Sequence, residues 1–269
     1  VELWLERRSR ARAEIGTIAL PDGVSFDGEF EVQLTPEAFS AATGIDTTHV
    51  GAPALLQDGA VRRIAVVWGS GEGVALGTWA GGFAADATVS AEDAGVARLG
   101  SPSLVRDANG RLWLFAEAAS PPGSDGPAVS IVRAPVDGGL GAFEAVIPGL
   151  APCVDLQGEP AACWDAAGAG GPEVRLAETA AGRPYLRMFY VRGAAADDAV
   201  GFAASFDGAT WDRFPYNPVV DDARKKLRAP SNLRIGDTWL LYFERRSATG
   251  GGLAVAVNDK PHMADRLVE

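Results

Sequence analysis

The sequence predicts an all-β protein, a single five-bladed β-propeller of four-stranded antiparallel blades, and three observations carry that reading. Gly (33) and Pro (17) punctuate short runs rich in Val, Leu, Phe, Trp and Tyr, which is the pattern of strands and turns and not of long helices. A unit built around a proline recurs four times: Gly51-Ala52-Pro53-Ala54-Leu55, Gly100-Ser101-Pro102-Ser103-Leu104, Gly170-Gly171-Pro172-Glu173-Val174 and Arg228-Ala229-Pro230-Ser231-Asn232. The repeat prolines at 53, 102, 172 and 230 are 49, 70 and 58 residues apart, the spacing of propeller blades rather than of helical solenoid repeats.

Each proline unit reads as the first strand of a blade. An aromatic-rich second strand follows: Ile64 to Trp68, Leu112 to Ala116, Tyr185 to Val191 and Thr238 to Phe243. A third run of small apolar residues comes next: Val74 to Trp79, Val129 to Ala134, Ala199 to Ser205 and Gly252 to Val257. At the N-terminus, Leu3-Trp4-Leu5-Glu6-Arg7-Arg8-Ser9 matches Leu241-Tyr242-Phe243-Glu244-Arg245-Arg246-Ser247, so residues 1–35 form a fifth unit without its first strand. The blades therefore fall near 1–35, 46–92, 93–150, 165–220 and 221–269, with ring closure through an upstream strand or through Pro261 to Glu269. Asp207-Gly208 and Asp22-Gly23 mark tight turns after third strands, since Asp-Gly tolerates the positive φ that such turns need. Thr35-Pro36-Glu37 through Gly44 is the one helix signal, with an N-cap residue, Pro at the first helical position and a Gly stop.

A net charge of -11 and a pI near 4.7 set the protein against phosphate backbones and anionic membranes, so nucleic acid is not an expected partner. Its apolar runs fall far short of the ~20 residues that cross a bilayer as a helix. The sequence opens on Val1-Glu2-Leu3-Trp4, already in the middle of a strand, which predicts an upstream segment that the sequence does not include. Cys153 and Cys163, close together in a Gly/Pro/Ala-rich stretch, suit a loop-closing disulfide and an extracytoplasmic setting; two reduced thiols are the alternative. There is no G-x-S-x-G, no phosphate-binding Gly-rich loop and no H-E-x-x-H.

The proline motifs, second strands such as Leu186-Arg187-Met188-Phe189-Tyr190, and the segment Val200 to Gly208 with Trp211 following resemble the five-bladed propellers of the glycoside hydrolase family 43 and family 32 superfamily. That resemblance covers nearly the whole chain. It implies a central funnel in which three carboxylates on successive first strands act as base, pKa modulator and general acid, two of them immediately before a repeat proline. Here those positions hold Ala52, Ser101, Gly171 and Ala229, none of which can activate water or protonate a leaving oxygen.

With period-two alternation, the residues after the prolines share a face with those before them: Ala54, Ser103, Glu173 and Ser231. Glu173 is then the only carboxylate directed at the funnel from a first strand, a candidate general acid; the competing reading pairs it with Arg175 or Arg228. Asp46, Asp93, Asp165 and Asp221 or Asp222 recur seven to nine residues before a proline. Asp46 and Asp165 are candidate catalytic partners of Glu173, while Asp93 and Asp222 are candidate sugar contacts; such a ring also suits Ca2+, whereas turn capping is what Asp does elsewhere. His49, Ser101, Trp164 and Arg228 complete the candidate binding set, with Trp164 as a stacking face and the Arg224-Lys225-Lys226-Leu227-Arg228 run as a cationic contact for a uronate.

The expected function is that of a glycosidase-like protein, secreted or envelope-associated and monomeric, that acts on or binds an oligo- or polysaccharide in its funnel. The alternative is a non-catalytic carbohydrate-binding or protein-interaction propeller. No cofactor is required by either.

Overall fold

The computed structural model describes residues 2–9, 11–20, 26, 28–123, 127–137, 139–147, 163–166, 168–192, 199–221, 226–235, 238–247 and 250–258. They form five antiparallel sheets arranged as the five blades of a propeller. Blade 1 contains β1 (Glu2–Arg8), β2 (Ala13–Ala19) and β3 (Glu31–Leu34). Blade 2 contains β4 (Val50–Asp58), β5 (Val61–Trp68), β6 (Gly73–Trp79) and β7 (Phe83–Ser90). Blade 3 contains β8 (Arg98–Arg106), β9 (Leu112–Ala119), β10 (Val129–Pro135) and β11 (Glu144–Ile147). Blade 4 contains β12 (Ala169–Glu178), β13 (Pro184–Arg192), β14 (Val200–Ser205) and β15 (Asp212–Arg213). Blade 5 contains β16 (Lys226–Ile235), β17 (Thr238–Ser247) and β18 (Gly250–Asn258).

Three blades are thus four-stranded and two have three strands among the described residues. Blade 1 starts at the second-strand position, as its match to Leu241–Ser247 requires, and blade 5 has first, second and third strands. Pro261 to Glu269 and Asp22-Gly23 lie outside the described residues.

The second strands of blades 2, 3 and 4 are largely buried on both faces, which is why they read as mostly apolar runs. In β5, Ile64, Val66 and Trp68 pack toward blade 1 with Ile15, Leu34 and Phe39, while Ala65 and Val67 pack toward blade 3 with Leu99 and Leu114. Blades 3 and 4 share Val105, Trp113, Phe115, Val174, Met188 and Trp211, with the Phe115 and Trp211 rings edge to face at 5.9 Å. Leu227, Leu241 and Phe243 of blade 5 pack beside Val200 of blade 4. Leu20 and Leu3 meet Leu240 and Tyr242, which joins blade 5 to blade 1. Each fully buried Leu, Ile or Phe contributes roughly 1.5–3 kcal/mol to these seams.

The helix α1 (Pro36–Thr43) has the ends its sequence specifies. Thr35 accepts a hydrogen bond from the Ala38 N–H, and Gly44 closes the helix in the left-handed region at φ 75°. Its buried Phe39 stacks on Phe83 at 5.8 Å and so fixes the blade 1 to blade 2 connection. The Asp207-Gly208 turn differs from a two-residue hairpin: only Gly208 has positive φ, and the Asp207 carboxylate accepts from the Ala209 and Thr210 N–H groups at 2.8 and 2.7 Å.

The proline units carry a feature that alternation does not predict. All four first strands bulge there, with register shifts between Gly51 and Ala54, Gly100 and Ser103, Gly170 and Glu173, and Arg228 and Ser231. The residue before each proline is left-handed: Ala52 at φ 44°, Ser101 at 42°, Gly171 at 55° and Ala229 at 47°. Proline has no N–H for a ladder, so an edge strand with a bulge is where it fits. The period-two argument that put the residues before and after the proline on one face therefore fails at all four sites.

Three of these four positions hold a residue with a Cβ that opposes left-handed φ, by about 1–2 kcal/mol each. Ala229→Gly is expected to raise the melting temperature by a few degrees and Gly171→Ala to lower it by a similar amount, as measured by thermal unfolding.

Candidate functional site

The four left-handed bulges sit in the first halves of β4, β8, β12 and β16, the first strands of their blades. None of those bulges presents a carboxylate. Acids reach them from the second strands instead. Glu117 is paired in register with Gly100, Glu244 with Arg228, and Glu6 holds the matching place in β1.

Glu6 and Glu117 each cross to the next blade. The Ala52 N–H donates to Glu6 Oε2 at 3.0 Å, and the Gly171 N–H donates to Glu117 Oε2 at 3.0 Å. A Cβ at Gly51 would lie 2.0 Å from Glu6 Oε2, and one at Gly170 would lie 2.4 Å from Glu117 Oε2. Glycine at 51 and 170 is what admits the carboxylates. Each also meets an arginine: Arg8 Nε donates to Glu6 Oε1 at 2.5 Å, and Arg98 Nη2 to Glu117 Oε1 at 3.0 Å. Blades 2 and 4 have Val67 and Val191 at the same place.

These glutamates escaped the sequence reading, although the aligned runs ending in Glu6-Arg7-Arg8 and Glu244-Arg245-Arg246 contain the signal. A glutamate that ends an apolar strand reads as its solvated end. The left-handed bulge that turns an N–H toward it leaves no mark where the residue is Ala or Ser.

Glu173 is 6% exposed and faces blade 5, opposite Phe189. Its Oε1 accepts from Arg175 Nε at 2.5 Å, and its buried Oε2 has no hydrogen-bond partner among the described residues. Beside it, Arg187 Nη2 donates to Asn232 Oδ1 at 3.0 Å and its guanidinium lies 3.8 Å from the Trp239 ring centre, which pins blade 4 to blade 5.

Asp165 is 2% exposed and holds blade 4 together from within: Tyr190 Oη and Arg213 Nε donate to its Oδ2 at 2.9 and 3.0 Å. Burial, then the adjacent Asp165 charge, raises the Tyr190 phenol above its ordinary range, so it stays a donor to that carboxylate. Trp164 is half-buried against Tyr190, ring centres 5.6 Å apart, and fills the space over Gly201.

The other predicted residues do not converge on these two. Asp46 is exposed, and Asp93 is exposed and accepts from Ser90 Oγ at 2.7 Å within its own turn. His49 Nδ1 lies 2.8 Å from Thr48 Oγ1, while its carbonyl accepts from the Gly69 N–H. Ser101 occupies its bulge half-exposed, and Arg228 is exposed at the head of β16. Asp222 lies outside the described residues. No group of three or more His, Cys, Asp or Glu side chains gathers as a metal-binding set among the described residues, so the acids expected to ring a Ca2+ ion do not assemble there. Cys163 is disulfide-bonded; its expected partner, Cys153, lies outside the described residues.

A separate cleft of about 380 Å³ opens between blades 2 and 3 on the opposite face, with Leu76, Leu112 and Leu140 in its wall and Arg63, Asp86 and Asp137 at its rim. Above it, Asp58 of β4 binds Arg63 and, across the blade boundary, Arg106 of β8. Hydrogen bonds first from Arg106 and then from Arg63 hold the Asp58 carboxyl below its ordinary value near 3.8. A depressed folded value means stability that is present above the unfolded value and lost as pH falls through the folded one. Asp58→Asn is therefore expected to lower stability by about 2 kcal/mol at pH 7 in denaturant unfolding, and the difference should vanish progressively below about pH 4.

No family model matches this chain, and no curated protein sequence matches it. Solved structures do. An endo-1,4-beta-xylanase from Bacteroides thetaiotaomicron is 14% identical with a TM-score of 0.65 over 95% of this chain and 90% of that one. A thermostable family-43 glycoside hydrolase is 12% identical with a TM-score of 0.63 over 96% and 89%. An endo-arabinase from Bacteroides thetaiotaomicron is 13% identical with a TM-score of 0.61 over 95% and 88%. Identities this low establish the fold: the chain is a five-bladed propeller built like those of glycoside hydrolases.

Proposed function

We propose that the funnel of this propeller binds a carbohydrate and does not hydrolyse it. The observation that carries this reading is the state of the four left-handed positions: Ala52, Ser101, Gly171 and Ala229 bring no acid to the funnel. Glycosidic hydrolysis needs two carboxyls, about 5–5.5 Å apart for retention or 6.5–9.5 Å for inversion, one free to give a proton and one free to act as base or nucleophile. Glu6 and Glu117 are each held by an arginine and a backbone N–H. Asp165 and Glu173 are buried, the former under Tyr190 and Arg213 and the latter beside Arg175.

What remains suits recognition. Hydroxyl, carboxylate and imidazole groups at Ser101, Asp46, Asp93 and His49 offer a sugar both donors and acceptors, Arg228 offers a cation, and the exposed part of Trp164 offers a ring face. The fold of the xylanase and endo-arabinase structures supports a polysaccharide as the partner. The disulfide at Cys163 supports an oxidising, extracytoplasmic setting, and no helix among the described residues is long and apolar enough to cross a membrane. In this reading the protein works as a monomer.

The test is a panel of arabinans, xylans, fructans, galactans and uronate-containing glycans. Wild type is expected to release no reducing sugar from any of them, while at least one raises its melting temperature; a hundredfold excess over Kd is worth about 2.7 kcal/mol. Sugar release by wild type that is lost in Glu173→Gln would instead make this a hydrolase with Glu173 as its acid.

A further inference from the structure

Two of the four left-handed bulges carry their own carboxylate, and two do not. At Ala52 and Gly171 the bulge N–H is met by Glu6 and Glu117 from the preceding blade, and the glycine before each bulge leaves the space that the carboxylate fills. At Ser101 the preceding blade offers Val67, which is buried and cannot accept a hydrogen bond. The space is still there. A Cβ at Gly100 would meet nothing nearer than Glu117 Oε1 at 3.9 Å, against Glu6 Oε2 at 2.0 Å for Gly51 and Glu117 Oε2 at 2.4 Å for Gly170. Glycine again precedes a left-handed residue at a register shift, and no glutamate of the preceding blade meets it.

The surroundings of that space favour an anion. Ser101 is only half-buried and adds a hydroxyl, a further donor, to its left-handed backbone N–H. Arg98 lies two residues before Gly100 on β8, passes over Gly71 of blade 2, and reaches Glu117 Oε1 at 3.0 Å. Glu117 is the acid in direct contact with that space, and its two oxygens are already engaged by Arg98 and the Gly171 N–H. The chain's charge of -11 opposes an anionic ligand at long range, but screening over a Debye length of ~8 Å confines that effect.

We infer that the Gly100-Ser101 bulge is a subsite for the carboxylate of an acidic sugar, so that the carbohydrate bound in the funnel contains uronic acid. The ligand carboxylate takes the position relative to Ser101 that Glu6 takes relative to Ala52 and Glu117 takes relative to Gly171. Charge-assisted bonds from the Ser101 N–H, its hydroxyl and Arg98 distinguish it from a neutral sugar. Ala229 repeats the arrangement opposite Val191, with Arg228 in the place of the glycine. This inference rests on the carbohydrate-binding reading of the funnel.

The experiment is calorimetric titration of the full chain with a uronic-acid trisaccharide and with the same trisaccharide after reduction of its carboxyls to alcohols. The acidic form is expected to bind at least tenfold more tightly. Val67→Glu supplies an internal carboxylate to the Ser101 N–H and is expected to abolish that preference with an unchanged circular dichroism spectrum. Ser101→Ala, which keeps the N–H, is expected to weaken uronate binding three- to tenfold, and it decides the matter should Val67→Glu not fold. Equal binding of the two trisaccharides, uronate binding untouched by Ser101→Ala, or binding of neutral glycans alone would overturn the inference and leave the funnel reading standing. Absence of binding by every glycan would overturn both.

Discussion

The constraint common to the inner edges of the blades is the left-handed bulge before each repeat proline, whose N–H at two of the four sites is bound by a glutamate of the preceding blade. A proline in an edge strand forces a bulge, because it has no N–H to give the ladder. The bulge turns the preceding residue's N–H out of its own sheet, and in blades 2 and 4 the N–H finds Glu6 and Glu117. The cost is backbone strain at Ala52, Ser101 and Ala229, which persists because the apolar seams on either side over-determine the inner strands.

The blades were legible because their strands differ in how they are buried. Second strands between two blades are mostly buried and so mostly apolar, as Leu112 to Ala116 is throughout and Tyr185 to Val191 is except at Arg187, so they stand out between glycines and prolines. The three-stranded first blade was legible from its repeat, since Leu3-Trp4-Leu5 matches Leu241-Tyr242-Phe243. The helix ends were legible because capping is local chemistry: Thr35 and Gly44 act on their own neighbours.

The site was less legible because its chemistry is not local. Whether Glu6 is a solvated strand end or a ligand for Ala52 depends on a partner 46 residues away and on a left-handed φ that only Gly171, of the four bulge residues, advertises. Alternation placed Glu173 in the funnel, yet the bulge interrupts alternation just before it and the side chain is buried with Arg175 facing blade 5. Asp165 matched the other acids in spacing and differs from them in setting. Asp46 and Asp93 remain on the surface, while Asp165 is drawn inward by two donors, Tyr190 and Arg213, that its sequence neighbourhood does not contain.

On the proposed reading, a funnel whose four pre-proline positions carry no acid holds a sugar chain intact. The most direct measurement is a crystal structure after soaking with an oligosaccharide that raises the melting temperature. The account predicts density for the uncleaved oligosaccharide against the bulges of the inner strands, next to Ser101 and Ala229. Cleaved products in the funnel, or a ligand seated only in the cleft between blades 2 and 3 on the opposite face, would contradict it.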